Sequence, residues 1–198
     1  DDASGIANYS IDISSFDCSN IGPNTVTLTI EDNNGNTASC TSQVTVEDDL
    51  EPNALCQNLT IQLDASGDAS ITVDQINNGS NDNCGVQSTS IDITAFDCSN
   101  VGPNTVILSV DDVNGNNASC AATVTVEDNV APNALCQDLT IQLDASGDAS
   151  ITVDQINNGS NDNCGIQSTS ININTFDCSN VGQNIVTLSV ADVNGNNA

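Results

Sequence analysis

The chain has 198 residues, 27 of them Asp or Glu, and no Lys, Arg or His, so its formal net charge is −27. Such a charge repels nucleic acid and anionic lipid, and no cationic side chain is present to cradle a phosphate. The same absence removes the imidazole that titrates near neutrality and any cationic clamp for a developing anion, leaving only paired carboxylates for acid–base work and arguing against an enzyme.

Internal periodicity comes before local structure. Cys18, Cys98 and Cys178 stand 80 residues apart, and Cys40/Cys120, Cys56/Cys136 and Cys84/Cys164 keep the same spacing. The stretch LDASGDASITVDQINNGSNDNCG occurs unchanged from Leu63 and from Leu143, and residues 56–118 differ from 136–198 at 9 of 63 positions. One unit of about 80 residues has been copied. We expect the C-terminal part of a repeat at residues 1–49, a complete repeat at 50–129 and a repeat without its last strand at 130–198. This division predicts a chain that continues on both sides.

In the complete copy, turns punctuate short stretches of alternating polarity, as in a β-sandwich. Thr60–Leu63 reads as a strand, and Asp64–Asp68 turns the chain. Ser70–Val73 returns with Ile71 and Val73 on the face of Ile61 and Leu63. One helical turn fits near Asp74–Asn77. Val86–Ile93 and Thr105–Val110 read as further strands, the latter with Val106, Leu108 and Val110 inward. Asn114-Gly115 predicts a type I′ hairpin turn. Ala122, Val124 and Val126 face inward on the last strand, with Thr123 and Thr125 outward. Tyr9, Phe16, Phe96 and Phe176 read as core or corner packing. The class expected is all-β: tandem immunoglobulin-like β-sandwiches stapled by disulfides.

Neither CxxC pairs nor His are present to hold zinc, so isolated Cys at regular spacing read as disulfides and an extracellular setting. Four Cys per copy allow three connectivities. Cys56–Cys120 is favoured, because both precede strands that can run parallel along one edge of a sandwich. Cys84–Cys98 then follows by elimination, with Cys164 and Cys178 as its copy. A fully extended strand would hold Cys84 and Cys98 too far apart, so residues 85–97 must double back. Ser4 stands where Cys84 stands one copy later, which leaves Cys18 without that partner.

No carboxylate here has a basic side chain to pair with. Acidic oxygens recur at Glu47-Asp48-Asp49 and Glu127-Asp128, at Asp112 with Asn114 and Asn116, and at Asp82 beside Asn81 and Asn83. Two readings stay open: solvated charge that keeps the chain extended, or a calcium clip at the junction between copies. For the D-x-N-G-N hairpin, local turn chemistry is the simpler explanation.

The series A-P-N-A-L-C, D-N-C-G, F-D-C-S-N-V-G, D-V-N-G-N and C-A-A-T-V-T-V-E-D resembles the hyalin-repeat family, and most closely the tandem copies in giant surface adhesins of gliding, Bacteroidetes-type bacteria. The resemblance implies an immunoglobulin-like fold, a location on the bacterial cell surface and an adhesive or filament-forming role, with no catalytic residues. Two roles follow as expectations. Near-identical copies suit a stalk whose partners are the neighbouring modules of the same chain. Alternatively, the modules themselves bind extracellular polysaccharide or associate laterally with sister chains in a calcium-dependent filament or matrix. No apolar run approaches the length of a membrane span, so direct membrane insertion is not expected.

Overall fold

The computed structural model describes residues 5–198. The fold is all-β. In chain order the elements are β1 (Ile6–Ile11), β2 (Gly22–Asp32), β3 (Thr37–Val46), β4 (Leu59–Gln62), β5 (Asp68–Ser70), α1 (Val73–Ile76), β6 (Val86–Ile91), β7 (Ala95–Asp97), β8 (Gly102–Asp112) and β9 (Asn117–Glu127). The third copy adds β10 (Ala149–Ser150), α2 (Val153–Ile156), β11 (Ile166–Ile171), β12 (Thr175–Phe176) and β13 (Leu188–Asp192). The complete copy carries a four-stranded sheet of order β4-β9-β8-β6 and a small β5-β7 pair. Short helical turns at Cys18–Asn20, Cys98–Asn100 and Cys178–Asn180 repeat with the copies.

The residues form two compact units, each drawing on consecutive copies. The first comprises Asp1–Cys56, Asn77–Ser90 and Leu108–Cys120; the second comprises Gln57–Ile76, Ile91–Ile107 and Ala121–Ala198. In the first unit, β1, β2 and β3 make an antiparallel sheet, with Ile11 opposite Leu28 and Leu28 opposite Cys40. Leu108 and Val110 are buried there by the alternation read from sequence,. Tyr9 does not pack: it is 76% exposed. The first copy holds no described counterpart of β4, β5 or α1 to cover that face.

In the second unit, β4 runs parallel to β9, pairing Leu59 with Val124 and Ile61 with Val126. Val106, Ala122, Val124, Val126 and Phe96 are buried there. A separate cluster of Ile151, Ile156, Phe176, Leu188 and Val190 forms the core of the third copy. The expected strand Ser70–Val73 stops at Ser70. Gln75 Oε1 accepts a 2.8 Å hydrogen bond from the Thr72 N–H, and Val73 opens α1 instead.

The cysteines depart from expectation at one pair. Cys56–Cys120 is a disulfide with 5.9 Å between Cα atoms, set before the parallel β4 and β9. Cys84 is bonded not to Cys98 but to Cys18, and Cys98 is bonded to Cys164. The reason is the strand between them: the six residues of β6 carry the chain about 20 Å,. Each of these two bonds therefore joins one copy to the next. Ser4 lies outside the described residues, and Cys18 does not need it. Cys178 is unbonded, as are Cys40 and Cys136.

The hairpin after β8 also differs. A type I′ turn needs positive φ at both central residues, yet only Gly115 (φ +99°) is left-handed, and no described residue other than glycine is. The Asp112 N–H donates to the Asn116 carbonyl at 3.0 Å, closing a three-residue loop.

Candidate metal centre

Two sets of carboxylates converge, one in each unit. In each of Asp48/Asp82/Asp112 and Asp128/Asp162/Asp192, one carboxylate oxygen per residue lies within 4.8 Å of the others. The sets are the same three positions one copy apart, and every member comes from a different element.

The first member continues a strand. On β9, Val124 and Val126 face inward and Asp128 follows in phase, only 5% exposed, whereas Glu127 points the other way,. Asp48 follows β3 in the same phase. The second member lies in the loop before β6 or β11. Asp82 Oδ2 accepts from the N–H groups of Cys84 (2.8 Å) and Gly85 (3.0 Å), and Asp162 Oδ2 accepts from those of Cys164 (2.9 Å) and Gly165 (3.0 Å). Those bonds orient the carboxylate and place it next to the cysteine that reaches the preceding copy.

The third member closes the hairpin. Asp112 Oδ1 accepts from the N–H groups of Asn114, Gly115 and Asn116 at 2.9, 2.6 and 2.8 Å, and Oδ2 accepts from Asn116 Nδ2 at 2.7 Å. Asp192 repeats all four bonds with Asn194, Gly195 and Asn196. Burial pushes both carboxyls upward, but the Asn side chain and the loop N–H groups outweigh it and hold each below the ordinary aspartate value,. Both are therefore anionic at neutral pH. Asn116 Nδ2 also donates to the Asp48 carbonyl (2.9 Å), and Asn196 Nδ2 to that of Asp128 (3.0 Å), so the hairpin Asn ties two members together. Asp32 in the first copy carries the same loop bonds from Asn34 and Asn36.

Buried polar atoms normally find partners. Among the described residues, the buried side-chain atoms without one are Asp48 Oδ2, Asn114 Oδ1, Asp128 Oδ2, Asp162 Oδ1, Asn163 Oδ1 and Asn194 Oδ1. All six are oxygens, and all belong to these two clusters or adjoin them. Three converging carboxylates, in a chain with no basic side chain, form a donor set for a hard cation, and unpartnered amide oxygens of Asn114, Asn163 and Asn194 belong to neighbouring residues,. Oxygens on opposite sides of a calcium ion stand about 5 Å apart at the usual 2.3–2.6 Å ligand distance. The spread of each cluster fits that size.

Of the acids singled out in sequence, Asp48, Asp82, Asp112 and Asp128 fall in the clusters. Glu47 and Asp49 are exposed, and Glu127 Oε2 instead accepts from Gln62 Nε2 at 2.6 Å. Strand alternation separates them from their neighbours. Asp162 and Asp192 complete the second cluster, and adding the 80-residue period to Asp82 and Asp112 points to both.

Residues 1–46 match the family model of the HYR domain, in keeping with the hyalin-repeat motifs. No curated protein matches the chain. Among solved structures, the chain aligns with protocadherin gamma B7 extracellular cadherin domains 1–4 at 12% identity and a TM-score of 0.38, covering 96% of this chain and 64% of that one. It aligns with a protocadherin gamma B7 EC3–6 cis-dimer structure at 16% identity and a TM-score of 0.39, covering 98% and 66%. The chain spans less than two thirds of each, and at these scores neither bears on its site or function.

Proposed function

We propose that the chain is part of an extracellular adhesion-type repeat array in which each junction between copies clamps a calcium ion. Asp48, Asp82 and Asp112 would hold one ion, and Asp128, Asp162 and Asp192 the next. Each set takes its first member from one copy and the other two from the following copy, so binding would fix the junction and stiffen the array as a stalk or filament. The observation that carries this reading is the unpartnered buried oxygens gathered at two copies of one acidic cluster. The HYR match over residues 1–46 and the disulfides support an extracellular adhesion module. The motif resemblance supports a bacterial cell surface as its location.

Small-angle scattering on this chain with millimolar calcium, then with chelator, tests the proposal. A maximum dimension that holds in calcium and shrinks or broadens in chelator is expected. An unchanged profile would leave the acids as solvated charge. Specific capture of a polysaccharide by the chain would favour modules that bind in their own right over a spacer.

A further inference from the structure

The disulfides between copies have a consequence independent of any metal. Cys18, Cys98 and Cys178 occupy one position of the copied unit, and Cys84 and Cys164 another. The bonds run from the first position of one copy to the second position of the next, with a sequence separation of 66 in both cases. Local structure presents the cysteines for this. Asp17 and Asp97 cap the short turns that begin at Cys18 and Cys98, each accepting from the N–H two residues on. At the other end, the carboxylates of Asp82 and Asp162 hold the N–H groups of Cys84 and Cys164.

We propose that these two staples form a covalent shortcut along the array, so that tension bypasses residues 19–83 and 99–163. A pull on the chain passes from Cys18 through sulfur to Cys84, along residues 85–97, then from Cys98 through sulfur to Cys164. Residues 19–83 and 99–163 lie in closed loops outside that path. The loops hold β4, β8 and β9, with the buried Val106, Leu108, Val110, Val124 and Val126. The Cys56–Cys120 bond links one loop to the other and is also off the path. β4, β8 and β9 are thus shielded from extension, while β6 and β7 stay on the path between the two staples.

Single-molecule pulling on this chain by its two ends reads the shortcut directly. At about 3.6 Å per residue, the fully reduced chain extends to about 700 Å and each staple removes about 240 Å. The oxidised chain is expected to stop at about a third of the reduced length. A chain with Cys56→Ser and Cys120→Ser should stop at the same oxidised length. Adding Cys18→Ser and Cys84→Ser to it should lengthen the limit by about 240 Å. Contour length is read after unfolding, so a poorly folded variant still reports.

A glutamate-specific protease supplies a second measurement, because the four Glu of the chain (Glu31, Glu47, Glu51 and Glu127) all lie within the closed loops. After cleavage of the unfolded, oxidised chain, residues 1–31 and 128–198 should remain attached to the piece carrying Cys84 and Cys98, and separate only on reduction. An oxidised chain that extends to the reduced length, or terminal pieces that separate without reductant, would overturn the proposal.

Discussion

Replacing Asp128 by Asn separates a metal site from an ordinary acidic surface through a change of sign. Asp128 is 5% exposed, and its cluster gathers three carboxylate oxygens within 4.8 Å of one another. Without a cation, Asp128→Asn abolishes two of the three repulsive pairs. At 4.8 Å each pair costs about 1 kcal/mol in bulk water and about 3.5 kcal/mol at the effective dielectric of a protein site,. The variant should therefore gain about 2 to 7 kcal/mol in chelator. With calcium at a hundred times its dissociation constant, the native chain gains about 2.7 kcal/mol per site, which a weakened site forfeits. Thermal unfolding of both proteins in chelator and in calcium is the assay. The variant should be the more stable in chelator, with its lead narrowed or reversed by calcium. A variant less stable in chelator, or a difference untouched by calcium, would refute the reasoning.

Other consequences concern the frame around the site. Replacing Cys56 and Cys120 with Ser should cost about 4 kcal/mol of stability by loop-closure entropy, read from the urea midpoint, because the bond spans 64 residues,. Gly67→Ala should destabilise by about 1–3 kcal/mol. Gly67 has a φ of +83°, and a Cβ there would come 2.7 Å from Cys98 Sγ, so titratable thiol should rise as the Cys98–Cys164 bond fails to form. The Ser99 hydroxyl, followed by its N–H, holds the Asp97 carboxyl below its ordinary value. Its depressed folded value contributes stability above the unfolded pKa near 3.9, lost as pH falls through the lower folded one. The advantage of the native chain over Asp97→Ala in urea should be full at pH 7, begin to fall near pH 4 and diminish further into acid.

The strands were legible because period-two patterning survives in each copy: Val106, Leu108 and Val110, and likewise Ala122, Val124 and Val126, are buried as read,. The same alternation, extended one step, would have picked Asp128 over Glu127. Two features were not legible. Cysteine spacing fixes which positions are equivalent but not which copy supplies the partner, so a bond such as Cys18–Cys84 looks improbable until the copies are placed in space. The hairpin was misread because Asn114-Gly115 signals a two-residue turn. Its loop is set instead by the Asp112 carboxylate, which satisfies three backbone N–H groups. That role and the proposed metal binding draw on the same residue, so the turn explanation does not exclude the proposed site.

The central claim, one cation per junction, is tested most directly by counting ions. Calorimetric titration of calcium into the oxidised, metal-free chain should give two ions per chain, falling to one with Asp82→Asn and to none when Asp162→Asn is added. A native chain that takes up no calcium, or whose stoichiometry ignores both substitutions, would contradict it.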